Sequence, residues 1–235
     1  MTFPSLSVFF PAYNDAPSLP ALIASTFETL AGNVADYEVI VVNDGSRDET
    51  GALLETLARR YAPYLRIVTH ENNHGYGAAL RSGFASARKE FVFYTDGDGQ
   101  YDPGELPLLL ERMGPKTGLV NGYKIERNDP AHRVWIGGIY NFCARLLFRI
   151  RIRDVDCDFR LIRRALLEGI GLTSTSGTIC VELVRKLERT GWEVEETPVH
   201  HFARIHGQSQ FFRVRPLLAT FGQLFQLWLR TVASR

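Results

Sequence analysis

Phe91-Val92-Phe93-Tyr94-Thr95, followed at once by Asp96-Gly97-Asp98-Gly99-Gln100, is the stretch on which the fold turns. Five apolar, aromatic or β-branched residues in a row read as a strand buried on both faces. The two carboxylates then fall just past its carboxyl end. Glu38-Val39-Ile40-Val41-Val42 followed by Asn43-Asp44-Gly45-Ser46 repeats the arrangement earlier in the chain. In open α/β sheets ligands bind outside the carboxyl ends of the strands. Asp96 and Asp98 supply hard oxygen ligands of the kind that take Mg²⁺ or Mn²⁺ together with a diphosphate. A lone Asp-x-Asp is weak testimony, because acidic turns are usually only solvated. The strand before it and the proline-started helix after it raise its weight, and Gly97 and Gly99 let the backbone turn tightly against a ligand.

Outward from this stretch, strands and helices alternate. Leu6 to Phe10 reads as the first strand, ended by Pro11-Ala12-Tyr13-Asn14-Asp15. Leu19 to Leu30 carries Leu22, Ile23, Thr26, Phe27 and Leu30 on one helical face. Strands are expected at Glu38–Val42, Leu65–Thr69, Phe91–Thr95 and Leu119–Gly122. Helices are expected at Glu49–Tyr61, from the Asn72–Gly77 turn to Ala87, and from Pro103 to Met113. This alternation predicts a mostly parallel central sheet with helices on both faces. Beyond Tyr123 the pattern loosens. Lys124 to Arg133 is polar and reads as a loop, Val134 to Ile150 as a helix, and the charge-dense Asp154–Arg160 as a lead into another helix. A helix at Thr178–Thr190, a strand at Glu193–Phe202 and a last helix from Pro216 to Val232 complete the chain. The expected division is a domain over residues 1–212 and an amphipathic helix over 213–235.

The 235 residues carry a net charge of +1, which conceals an asymmetry. Residues 1–123 are acidic by six charges and residues 124–235 basic by seven. A metal-binding half would account for the first and a phosphate-bearing partner for the second, although solvated helix faces account for both equally well. Cys143, Cys157 and Cys180 are widely spaced and form no Cys-x-x-Cys, which argues against a zinc knuckle and for free thiols in a reducing compartment. Neither a signal peptide nor a run of about 18 apolar residues is visible.

Other patterns carry less. Gly75-x-Gly77 lies between a strand and a helix, but a dinucleotide fingerprint would need glycine where Leu80 stands. A tight turn with small residues packing a helix on the sheet is the preferred reading, with an anion at the helix start the alternative. His200 and His201 are adjacent on a strand and face opposite sides, so packing is expected of them rather than a shared metal. His206 sits in a short polar loop. The last helix repeats Leu217, Leu218, Phe221, Leu224, Phe225, Trp228, Leu229 and Val232 at spacings of three and four, flanked by Arg213, Arg215, Arg230 and Arg235. That stripe suits docking on the core, on a second subunit, or in the plane of a membrane surface.

Taken together, Pro11-Ala12-Tyr13-Asn14-Asp15, Asn43-Asp44-Gly45-Ser46, Asn73-His74-Gly75-Tyr76-Gly77-Ala78-Ala79 and Asp96-Gly97-Asp98-Gly99-Gln100 resemble the family 2 glycosyltransferases of GT-A fold. Within them, the chain resembles the dolichol-phosphate mannose synthase and polyprenyl-phosphate glycosyltransferase group. The resemblance covers residues 5 to 210. It implies that Pro11, Tyr13 and Asp15 cradle the nucleoside, that Asp44 contacts base or ribose, and that Asp96 and Asp98 are the metal-proximal pair. It places Gln100 beside the donor phosphates, and Lys124, Arg127 and Arg133 where the family has basic residues for donor and acceptor phosphates. Asp154 to Arg160 resembles the segment beside the acceptor. Arg204 with Gly207 and Ser209 resembles an Arg-x-x-Gly-x-Ser motif near the diphosphate. The chain departs from the family at Asp15 (commonly Glu), Asn43 (Asp), Val155 and Asp158 (Pro and Gly) and Gln210 (Lys).

The implied reaction is inverting displacement at the anomeric carbon of a GDP- or UDP-hexose, with Mg²⁺ or Mn²⁺ and Arg204 neutralising the departing diphosphate. The implied acceptor is a polyprenyl phosphate, already anionic near neutral pH and in need of positioning more than of a base. A saccharide hydroxyl would need one, and Asp156 or Asp158 would serve. Asp98, Arg204, Asp156 and Asp158 are therefore the candidate catalytic residues. A sugar-nucleotide nucleotidyltransferase would want a glycine-rich loop after strand one, where this chain has Pro11-Ala12-Tyr13-Asn14. A silent membrane-associated binding module is a third alternative, opposed by the intact Asp96/Asp98 pair. The expected location is cytoplasmic and peripheral on the inner membrane face, with no nucleic-acid partner and no stated oligomeric state.

Overall fold

A computed structural model describes residues 2–125, 131–204 and 214–233, without the side chains of 131–133, 214–219, 221 and 232–233. Arg127, Arg213, His206, Gly207, Ser209, Gln210 and Arg235 lie outside the described residues, and the side chains of Arg133 and Arg215 lie outside them also.

The first half follows the alternating pattern. β1 (Phe3–Ala12), α1 (Leu19–Asn33), β2 (Val34–Asp44), α2 (Thr50–Arg60), β3 (Leu65–His70), α3 (Tyr76–Ser86) and β4 (Phe91–Thr95) succeed one another. A 3₁₀ turn at Pro103–Glu105, whose start is capped by the Asp102 side chain accepting from Gly104 N, leads into the short α4 (Leu106–Leu110). β5 (Thr117–Ile125) and α5 (Ala131–Phe148) follow. Lys124 and Ile125 thus belong to a strand and 131–133 to a helix, so the expected loop is shorter at both ends.

The main correction comes next. Asp154–Arg160 leads not into a helix but into β6 (Phe159–Arg163), with α6 (Arg164–Ile170) only after it. α7 (Thr178–Glu188), β7 (Glu193–His200) and α8 (Val214–Trp228) complete the fold, the last running on as a π-helical turn over Leu229–Ala233.

Among the described residues the strands form one seven-stranded sheet in the order β3-β2-β1-β4-β6-β5-β7. β6 is antiparallel to both neighbours, and every other pairing is parallel. Parallel central strands need cover on both faces, and the core accordingly divides in two. One cluster, including Phe9, Ile40, Val92 and Tyr94, lies under α3, α5, α7 and α8. The other, including Phe10, Val39, Phe93 and Leu161, lies under α1, α2 and α4. α8 is docked on α5 and α7, with Leu224 and Leu227 buried in the first cluster. Leu224 of the expected stripe thus serves core packing, whereas Phe225 and Leu229 are exposed.

Antiparallel pairing of β6 has a consequence for the site. Thr95 at the end of β4 pairs with Phe159 at the start of β6. One residue beyond, Asp96 and Asp158 emerge from neighbouring strands at the same edge of the sheet.

Candidate active site

The loops after β1, β2 and β4 converge at the carboxyl edge and are laced together. Asn14, in a left-handed conformation at φ +57°, donates its backbone N–H to Ser46 Oγ and accepts from Arg47 N at 2.8 Å. Ser18 Oγ donates to Gly97 O at 2.8 Å. Gly97 approaches so closely that a Cβ there would stand 2.6 Å from the Pro11 carbonyl oxygen. The first loop is thereby clamped onto the Asp96–Asp98 turn.

Within this edge Asp98 is buried. Its Oδ1 accepts from Gln100 N at 3.0 Å, and its Oδ2 is ion-paired with Arg204. Gln100 makes that second contact possible. Its carbonyl accepts from Phe202 N at 2.9 Å and its side-chain amide donates to Phe202 O at 3.0 Å. The segment leaving β7 is thus held across the turn, and Arg204 is delivered to Asp98 from 106 residues away in sequence. Gln100 acts here as a two-point clamp, a role its expected place beside the phosphates did not foretell.

Asp96 Oδ1 accepts from the Tyr76 hydroxyl at 2.7 Å. Burial, then the charges of Asp158 and Asp98, hold its carboxyl well above the usual carboxylate range, with Tyr76 and Arg204 opposing. Asp15 is pushed up to about 6, by burial first and then by Asp98, against the lowering effect of the Tyr13 N–H that its Oδ2 accepts at 2.9 Å. Carboxylates that hold one another's pKa up form a site short of positive charge.

Asp158 is not a free base. It is buried and ion-paired with Arg160 at 2.6 Å, and its Oδ1 also accepts from the Tyr94 hydroxyl at 3.2 Å and from Cys180 Sγ at 3.1 Å. Arg160, fully buried, spends its remaining donors on Asn121 Oδ1 at 2.6 Å, Val155 O at 2.7 Å and Tyr94. Asp156 is half-exposed and bound by Lys124 Nζ, 3.1 Å from its carboxylate. Lys124 itself is nearly buried, committed to Asp156 and with its N–H to Asp154. Asp44 is turned inward. His70 Nδ1 and His74 N reach its Oδ1 at 2.6 and 3.0 Å, and Gly75 N reaches its Oδ2 at 2.9 Å. In this arrangement the Asp44 carboxylate braces the turn before α3. Gly77 N donates to Thr175 O at 2.9 Å, so the turn packs against the chain before α7, as the tight-turn reading expects. Tyr76, Asn121, Tyr94 and Cys180 escaped sequence reasoning because a single Tyr, Asn or Cys bears no motif until its partner is known.

A divalent cation suits this donor set. Asp96 and Asp98 present hard oxygens that repel one another, and the cation Asp98 now holds is the Arg204 guanidinium. Arg204 Nε and Thr95 Oγ1 are buried without a hydrogen-bond partner among the described residues. Among the described residues no group of three or more His, Cys, Asp or Glu side chains is placed to hold a metal ion by itself. Two carboxylates completed by phosphate oxygens is a usual Mg²⁺ arrangement.

A family model described as glycosyl transferase family 2 matches residues 7–171, which contain all of these carboxylates. The chain belongs to that family. Among curated proteins it is 31% identical over 212 residues to an undecaprenyl-phosphate 4-deoxy-4-formamido-L-arabinose transferase of Pseudomonas aeruginosa (strain LESB58), covering 90% of this chain and 62% of that protein. A protein of the same name in Pseudomonas fluorescens (strain SBW25) is 30% identical over 219 residues, covering 93% and 63%. The chain thus spans under two thirds of the length of these relatives. Among solved structures, glucosyl-3-phosphoglycerate synthase from Mycobacterium tuberculosis in complex with phosphoglyceric acid superposes with a TM-score of 0.73 at 19% identity, over 97% of this chain and 80% of that one. A complex of the same enzyme with Mn²⁺ and UDP-glucose gives 0.73 at 19%, over 97% and 79%. The sheet of this family 2 member is that of the GT-A fold.

Proposed function

We propose that the chain is an inverting glycosyltransferase that moves a sugar from a nucleoside-diphosphate donor to a polyprenyl phosphate at a membrane surface. The observation that carries the reading is the carboxyl edge itself. Asp96 and Asp98 follow β4, and Arg204 is brought onto Asp98 by the Gln100 clamp. The acceptor class rests on the relatives' printed names. UDP is favoured over GDP by the donor in the fold neighbour's complex. The relatives' printed sugar is a substituted arabinose, so the glycosyl group, a hexose on sequence grounds, is named by assay.

Pro11, Tyr13 and Asp15 on the clamped first loop would face the nucleoside. Asp96 and Asp98 would hold Mg²⁺ or Mn²⁺, which when bound neutralises charge on the diphosphate. Arg204 would exchange its contact with Asp98 for the donor phosphates, where its unpartnered Nε finds an acceptor. Lys124, with Arg127 and Arg133, would supply positive charge on the acceptor side. The commitments of Asp158 to Arg160 and of Asp156 to Lys124 suit an acceptor that arrives ionised, since a phosphate monoester is an anion near neutral pH. A saccharide hydroxyl would need a base that neither residue offers while so paired. The domain of residues 1–212 would carry this chemistry, with the helix of 213–235 packed against it on the cytoplasmic membrane face.

The test is a matrix of UDP- and GDP-sugars against undecaprenyl phosphate in detergent, with Mn²⁺ or Mg²⁺ and product masses. One glycosyl phospholipid mass, absent with chelator and with Asp98→Asn, is the expected result. Transfer to saccharide hydroxyls with none to lipid phosphate would overturn the acceptor. Full activity of Asp98→Asn in chelator would overturn the site.

A further inference from the structure

α5 is apolar on two opposite faces, and only one of them is covered. At 100° per residue, Tyr140, Ala144 and Phe148 point to one side and are buried in the core. Trp135, Ile139, Phe142 and Leu146, spaced four, three and four apart, fall within roughly 60° of each other on the opposite side. They are 74%, 52%, 65% and 67% exposed. An ordinary surface helix turns polar residues to water, and a helix apolar all round is normally enclosed. The surface does not stop at α5. Trp228 on α8 donates its indole N–H to Leu147 O at 3.1 Å, and Phe225, stacked on Trp228, and Leu229 are exposed beside it.

The chain segments that build this surface carry charge of one sign. From residue 131 to 153 the chain has five arginines and no carboxylate, and from 197 to its end five arginines and no carboxylate again. Arg145 and Arg149 are exposed at the end of α5, as are Arg151 and Arg153, the last 3.9 Å from Glu196. A second copy docking by the same face would set these arginines against their own counterparts. An anionic bilayer meets both demands: aromatic and aliphatic side chains at the headgroup boundary, and arginines at the lipid phosphates. Among the described residues no helix is long and apolar enough to cross a membrane, so the contact is one of lying on the surface.

We propose that the outward face of α5, extended by Phe225 of α8 and Leu229 of the turn that continues it, docks the protein on anionic lipid. This deepens the lipid-acceptor reading and rests on it for its purpose. The inner face of the same helix holds Tyr140 near Asp156 and Asp158, and Asn141 binds Arg153 O and Val155 N at 2.7 and 3.0 Å. The helix that would meet the bilayer therefore also positions the segment assigned to the acceptor.

The experiment is sedimentation of the full chain with vesicles of phosphatidylcholine alone or with phosphatidylglycerol, without donor sugar. Wild type is expected to bind the anionic vesicles, more weakly as salt rises. Phe142→Ser/Leu146→Ser is expected to lower the partition constant about tenfold or more, at unchanged melting temperature. Quenching of tryptophan fluorescence by brominated lipid is expected in wild type and to fall in Trp135→Phe, a variant that keeps the surface apolar and needs no tolerance of serine. Wild type that ignores both vesicle types would overturn the proposal. So would a double variant that binds as wild type does, or a protein dimer abolished by the same substitutions. Transfer to detergent-solubilised undecaprenyl phosphate, run on the same preparations, separates the two readings. Vesicle binding without transfer leaves the docking surface and removes the reaction, and transfer without vesicle binding does the reverse.

Discussion

Replacing Arg160 by Met tests how the site is held. The Arg160 side chain is fully buried, and its guanidinium satisfies Asn121 at 2.6 Å, Val155 O at 2.7 Å, Asp158 at 2.6 Å and the Tyr94 hydroxyl. Methionine fills much of the volume and makes none of these contacts. Asp158 would remain as a buried carboxylate without its cation, beside an Asp96 that already resists ionisation. Breaking a buried pair from one side costs about 3–5 kcal/mol. With a urea slope of about 2 kcal/mol per molar, the unfolding midpoint should fall by about 1.5–2.5 M. Urea titration followed by circular dichroism measures it. Arg160→Met/Asp158→Asn removes the stranded charge as well, and should be markedly more stable than the sum of the single losses implies. A midpoint drop below about 0.5 M in Arg160→Met, or strict additivity in the double variant, would refute the claim that this buried pair helps hold the site together.

Gly97→Ala should destabilise by about 1–3 kcal/mol, because the new methyl meets the Pro11 carbonyl at 2.6 Å; an unchanged melting temperature would mean the two loops are not clamped. Burial alone would raise Glu182, but hydrogen bonds from Lys186 and Ser174 bring it below 4.5. Its stabilising contribution is therefore present above about pH 4.5 and lost as pH falls through the folded value, and Glu182→Gln should flatten that acid limb of a stability-against-pH curve. Asp15 has the opposite sign. Raised from 3.8 to about 6, it keeps its proton in the folded state, so metal-free protein should lose stability as pH rises from 3.8 to about 6, and Asp15→Asn should remove that slope. Mn²⁺ with UDP should raise the melting temperature of wild type and not of Asp96→Asn; equal shifts in both, read by scanning fluorimetry, would place the cation elsewhere.

Much of the fold was legible in the chain because its central strands are buried on both faces. Phe91–Thr95 and Glu38–Val42 could be read as strands from composition alone, and the first is found with those bounds. The helix stripe of α1 was equally plain, since a period of three and four needs only the local sequence. The carboxylates at the strand ends followed from the same runs. β6 was hidden because Arg160 stands second in it, and a charge there argues against a buried strand unless its partners are known. Those partners, Asn121, Tyr94, Val155 and Asp158, come from two strands and the loop before β6.

The sequence by itself thus determined which segments are buried and where acid follows strand, since both depend on neighbours a few residues apart. Tertiary structure alone decided what each acid does. Asp44 and Asp98 both follow buried strands, yet one braces a turn through His70, His74 and Gly75 while the other meets Arg204 at the open edge. It also decided that α8 turns Leu224 and Leu227 to the core and leaves Phe225 outside, as α5 leaves one of its faces. A helical period records that a face is apolar and carries no information about what covers it. A carboxylate's charge state and role depend on burial and on cations tens of residues away, which only the packed chain brings within reach.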